Sequence, residues 1–296
     1  MRKLLLLLLV TPLLLGAWFQ ASDVIHADFN TALAAGWFLG DWPTAGSVNK
    51  FGHSTNIDTT ETSVSDISDL GGPQRCFTVP GSTAAKLYLS SDDENDGSGN
   101  DGISITVEYV NSAYVKKTID VALGAASASG TVFVQIHDSD TAETIFWINR
   151  MFPTTTASSG NIYAGTEAAD DDTDGIPQNP TTTISQVIDL VEQQTMTACY
   201  MVPANHIGLL HQFIASTVDV PGAPTSTTFR LRRTIEFGAT RTVEPVHVAE
   251  GSYAIVPHVL PIYFAEKTAI ELTGVAGAND STATGTFDIQ VLPNTL

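Results

Sequence analysis

Cations are scarce in this 296-residue chain: 13 Lys and Arg stand against 32 Asp and Glu, for a formal net charge of −19 and an isoelectric point near 4.4. A nucleic-acid binder neutralises phosphates with clustered Lys and Arg, so that class is excluded. Cysteine is scarcer still. Cys76 and Cys199 are the only two, too few for a disulfide framework in a chain of this length. Each lies in an apolar β-like stretch, where a cysteine is expected to behave as a small buried hydrophobe. In an oxidising compartment the two could pair, although they fall in different halves of the chain. Motifs with strict chemical spacing are missing as well. The seven histidines form no HExxH and have no CxxC beside them, and there is no GxSxG elbow and no P-loop lysine. No enzymatic activity and no cofactor is expected, calcium excepted below.

Long apolar runs are absent except at the N-terminus, where Arg2 and Lys3 precede an apolar stretch over 4–18. A positive start and a core shorter than the ~20 residues of a bilayer span fit an export signal. An uncleaved anchor and a start placed too far upstream are the alternatives. No cysteine follows the run, so a lipoprotein is excluded. Removal of residues 1–21 takes away two positive charges and moves the net charge from −19 to −21, with no stable membrane association expected afterwards.

What the chain has in quantity is strand-forming sequence. Hydrophobic residues make up 43% and charged residues 15%, which is ample for a buried core. Short β-branched or aromatic runs recur at 86–89, 103–109, 114–123, 131–136, 144–148, 196–202, 206–214, 228–237, 253–259, 268–272 and 284–291, between Gly, Asn, Asp and Pro turns. Residues 110–113, with Asn111 and Ser112, read as a hairpin turn. Phe287, Ile289 and Val291 alternate with Asp288 and Gln290, the period of a half-buried strand. The one helix-like stretch is 184–192, and its Val and Ile content argues even against that. The expected fold is all-β: two consecutive β-sandwich or jelly-roll-like domains preceded by an extended N-terminal segment. The expected boundaries are 1–21 for the signal-like segment, 22–71 for the arm, and 72–182 and 183–296 for the two domains.

Three local clusters call for a chemical reading. Gly97-Ser98-Gly99-Asn100-Asp101-Gly102 has dinucleotide-loop spacing, but a β-branched strand follows where a helix is required, and the neighbouring acids would repel phosphate. It reads as a long acidic turn. Asp170, Asp172 and Asp174, followed by Gly175, form D-x-D-x-D-G, which can wrap calcium. The closing Glu of such a loop would fall at Thr181, so the stretch is either an incomplete calcium loop or a solvated acidic turn. Arg230, Arg232 and Arg233 form the sole basic cluster. They read either as a solvated strand face or as an inter-subunit ion-pair surface, since opposite patches on one polypeptide favour self-association.

Four stretches occur in an order that resembles the β-rich virion structural proteins of marine tailed bacteriophages and their metagenomic relatives. They are Val48-Asn49-Lys50-Phe51-Gly52-His53 with Ile57-Asp58; residues 90–102 leading into 105–109 and the hairpin to Leu123; Gln194-Thr195-Met196 through Pro203; and 261–270 with Phe264-Ala265-Glu266-Lys267-Thr268, then Phe287-Asp288-Ile289. The ordered succession over 48–291 carries the resemblance. It implies a non-enzymatic, homo-oligomeric β-sandwich protein of the capsid surface or tail, expected as a closed trimer, in contact with itself and with other virion proteins. The signal-like N-terminus departs from that pattern, because tailed-phage particles assemble in the cytoplasm. The competing expectation is a secreted or cell-surface bacterial β-sandwich protein that binds glycans or other surface ligands, with Trp37, Trp42 and Trp147 as ligand platforms.

Overall fold

The computed structural model describes residues 46–65, 76, 84–154, 156–168, 173–177, 184–218, 226–236, 239–277 and 281–294. Regular structure among them is almost entirely strand, with one short 3-10 turn over Glu94–Asp96 and no α-helix. The chain runs β1 (Gly46–Ile57), β2 (Thr62–Ser63), β3 (Tyr88–Ser91), β4 (Ser104–Asn111), β5 (Lys116–Ala122), β6 (Val134–Gln135), β7 (Ile145–Pro153), β8 (Ile162–Gly165), β9 (Ile184–Ile188), β10 (Cys199–Met201), β11 (His206–Thr217), β12 (Ser226–Ile235), β13 (Arg241–Ala249), β14 (Tyr253–Phe264), β15 (Thr268–Ala276) and β16 (Ser281–Pro293).

Strand alternation builds the first core. In β16 the side chains of Ala283, Phe287, Ile289 and Val291 are buried, while Thr284, Thr286 and Asp288 face away. In β12 the buried Phe229 and Leu231 alternate with half-buried Arg230 and Arg232. Two antiparallel sheets, ordered β1-β16-β11-β14 and β10-β15-β12-β13 with β2 on β15, enclose these side chains. The second core, around Leu89, Ile105, Val107, Tyr109, Ile148 and Ile162, lies among the strands of the sheets β6-β3-β8-β9 and β5-β4-β7. The all-β, sandwich-like expectation is met.

The two cores are not consecutive along the chain. β1 pairs with β16 from Gly46↔Val291 onward, and β2 pairs with β15, so residues 46–63 already belong to the C-terminal sandwich. The arm expected over 22–71 therefore supplies two of its strands. The other sandwich is inserted between β2 and β10. The expected boundary at residue 182 precedes β9, which pairs with β8 of the insert. β9 also replaces the helix considered over 184–192, because Val187 and Ile188 fit a pleated buried edge better than a helix turn. Residues 46–296 form one compact unit. Gly52 marks how closely the layers approach: a Cβ there would lie 2.1 Å from the carbonyl oxygen of Val64.

Candidate functional site

The neck of the insert brings distant residues together. Ser65 bridges Thr197, and the Ala198 N–H donates to the Val64 carbonyl at 3.0 Å, so the outgoing and returning chains run side by side. Cys76 and Cys199 are joined there in a disulfide, with Cα atoms 6.5 Å apart and a sequence separation of 123. This corrects the expectation of two separate buried thiols. The separation in sequence is a loop leaving and re-entering the same sandwich. The Cys76 N–H donates to Ser63 Oγ at 2.7 Å, and Ser63 Oγ donates to the buried Glu271 carboxylate at 3.1 Å. Glu271 lies close to both sulfurs, but a disulfide supplies no thiolate for a metal.

Arg230 and Arg232 of the basic cluster sit on the same outer sheet face. Arg230 and Arg232 both pair with Glu61, which also accepts from Thr273 Oγ1 at 2.8 Å. Ion pairs for these two residues, which the sequence leaves as either a solvated face or an inter-subunit surface, are made inside the chain. Arg233 lies opposite Arg241 on β13 and Ile270 on β15, half-buried.

The acidic turns are likewise engaged by their own fold. Buried Asp96 accepts from Ser91 Oγ at 2.6 Å and from the backbone N–H groups of Ser159 and Gly160 at 2.7 and 3.0 Å. Asp92 accepts from the Asn161 backbone N–H and side chain and from the Tyr163 hydroxyl. Burial, followed by the charge of Asp92, pushes the Tyr163 phenol upward. The turn leads into strand β4, as its composition implied. Of the calcium candidates, Asp170 and Asp172 lie outside the described residues. Asp174 Oδ1 accepts from the Ile176 N–H at 2.8 Å.

A cleft of about 470 Å³ opens where the edge strands β1 and β10 of the C-terminal sandwich meet β4, β5 and β7 of the insert. Its walls are tied together. The Asn149 side chain makes two hydrogen bonds to the Met201 backbone, at 2.9 and 3.2 Å, clipping β7 to β10. The Lys50 ammonium, 4% exposed as a residue, donates to the Asn149 carbonyl. Arg150 donates to Gln194 Oε1 at 3.1 Å and lies 4.8 Å from the Phe152 ring centroid. Glu108 and Arg150 are register partners, and Lys116 extends the same face of the sheet. Tyr200 also lines the cleft. It is 2% exposed, and its hydroxyl has no hydrogen-bond partner. Burial and then Glu108 push its phenol upward, which places the hydroxyl within the field of a cleft residue. Nothing in the local sequence marks these positions, because five strands contribute to the cleft.

The opposite margin of the C-terminal sandwich is apolar. β14 is the outer strand of its sheet and leaves Tyr253, Ile255, Val259, Leu260 and Tyr263 exposed, Val259 at 94%. Its pairing with β11 breaks between Pro257 and Ile262, opposite a shift at Leu210/Gln212, so the stretch from His258 to Pro261 stands off the ladder. By contrast, Trp147 is 6% exposed in the small core between the two sandwiches, with Cys76, Cys199 and Tyr114, which removes it as a ligand platform. Trp37 and Trp42 lie outside the described residues. No helix among the described residues is long and apolar enough to cross a membrane.

No protein-family model and no curated protein matches the sequence. Among solved structures, the chain is similar to one from the T13 IBDV viral particle, at 10% identity, a TM-score of 0.22, and coverage of 86% of this chain and 71% of that one. A chain from the infectious bursal disease virus Gx strain is similar at 12% identity and a TM-score of 0.20, covering 83% and 71%. TM-scores this low leave both fold and function to be argued from the chain's own residues.

Proposed function

We propose that the protein is a non-enzymatic structural subunit of a tailed-phage particle that assembles as a closed homo-oligomer through the exposed apolar side of β14. The observation that carries this reading is the composition of that strand. Residues 251–265 contain no Asp, Glu, Lys or Arg on a chain of net charge −19, yet they expose two tyrosines and three aliphatic side chains. A contiguous apolar patch free of charge is what an interface between copies of an acidic protein requires, because like-charge repulsion there is avoided. Pro257 and Pro261 bracket the part that stands off the ladder, and prolines block continued strand pairing. The contact is therefore made by side chains, Val259 and Leu260 foremost, seated on a neighbouring copy. Light scattering of residues 22–296 at micromolar concentration tests it, with a trimer expected and Val259→Lys shifting the population to monomer. A stable wild-type monomer overturns the reading. Mass spectrometry of purified particles tests the placement on a virion.

A second reading, an exported ligand-binding protein, is favoured by one observation. The Cys76–Cys199 disulfide is of a kind that persists in oxidising compartments, in keeping with the signal-like N-terminus.

A further inference from the structure

The inter-sandwich cleft has the features of a binding site rather than of an accidental gap. Its volume of about 470 Å³ lies within the ~300–1,000 Å³ of small-ligand pockets. It is held by hydrogen bonds on both walls, so its shape is pre-formed. Lys116 and Arg150 are exposed at its margin, Glu108 is half-buried beside them, and the amide of Gln194 completes the polar lining. Two accessible cations on one cleft of a chain with 13 in all is a local reversal of the molecule's charge. The decisive feature is Tyr200: a buried hydroxyl without a partner costs folding free energy, and nothing in the packing of the aromatic ring requires it.

The donor and acceptor types specify the ligand class. Lys116 and Arg150 offer only donors, carry positive charge, and suit a carboxylate or phosphate. Glu108 offers only acceptors and suits hydroxyl groups, and the Gln194 amide and the Tyr200 hydroxyl serve either role. A molecule that satisfies both halves carries several hydroxyls and one anionic group. We infer that the cleft binds an anionic sugar, with its acidic group on Lys116 and Arg150 and its hydroxyls on Glu108 and the Tyr200 hydroxyl. This function stands apart from self-association at β14, which lies on the far margin of the same sheet from β1.

Isothermal titration of the full chain with glucuronate, glucose 6-phosphate and glucose tests the assignment. At least one of the anionic sugars is expected to bind about tenfold or more tightly than glucose, and whichever binds identifies the anion. Arg150→Gln and Lys116→Gln are each expected to remove about tenfold of that affinity and to weaken its dependence on salt. Tyr200→Phe is expected to bind about fivefold to tenfold more weakly while its melting temperature holds or rises, since the hydroxyl is unpaired without ligand. Failure of both anionic sugars to bind at millimolar concentration overturns the proposal. So does glucose binding as tightly as they do, unchanged affinity in Tyr200→Phe, or a fall in that variant's melting temperature. Light scattering on the same samples reads the oligomer separately, so failure of either proposal is distinguishable from failure of the other.

Discussion

Reducing or removing the Cys76–Cys199 bond should destabilise the protein substantially while leaving both cores formed. The bond spans a sequence separation of 123, and the loop-closure entropy it removes from the unfolded chain is worth about 5 kcal/mol. For a chain of this size that corresponds to a fall in melting temperature of roughly 10 to 20 °C. The bond sits at the neck, buried among Val110, Tyr114, Trp147 and Met201. Reduction therefore loosens the junction of insert and C-terminal sandwich, and its main thermodynamic effect lies in the unfolded state. The assay is a thermal melt of oxidised protein, of reduced protein, and of the Cys76→Ala/Cys199→Ala double variant with and without reductant. The oxidised form should melt highest, and the double variant should be insensitive to reductant. Thiol labelling of the denatured, unreduced chain should find no reactive sulfur. Two labelled cysteines would show that the bond does not form, and equal melting temperatures for oxidised and reduced wild type would show that it does not stabilise the fold.

The arginine clamp and a half-buried carboxylate offer further tests. Glu61→Gln removes the partner of Arg230 and of the 15%-exposed Arg232 side chain, and should lower stability in urea by about 1–3 kcal/mol. A loss within about 0.3 kcal/mol would mean the pair is solvent-screened. Burial alone would raise Glu143, but hydrogen bonds from Tyr109, Asn111 and the Asp138 N–H, with the Lys117 charge, hold its carboxyl below the usual carboxylate range. A carboxyl lowered in the folded state contributes stability above its unfolded pKa and loses it as pH falls through the folded one. The urea midpoints of wild type and Glu143→Gln should therefore converge in acid below about pH 4. A gap unchanged from pH 7 to pH 3 would contradict this.

The period-two pattern of residues 287–291 and the alternation of Phe229 and Leu231 with their arginines were legible locally, because which face a strand residue takes depends only on its neighbours in the chain. The same holds for the hairpin turn: Asn111 Oδ1 accepts from the N–H groups of Ala113 and Val115, as an Asn-Ser turn should. The all-β class followed from many such stretches. Which strand pairs with which did not, since alternating strands are nearly interchangeable until register and packing choose among them. Only the tertiary structure placed Gly46 opposite Val291, brought Glu61 to Arg232, and made Cys76 a neighbour of Cys199. The cleft is the extreme case. Lys50, Glu108, Lys116, Arg150 and Tyr200 come from five strands, and their meeting is a property of the insertion topology, which local composition and periodicity do not encode.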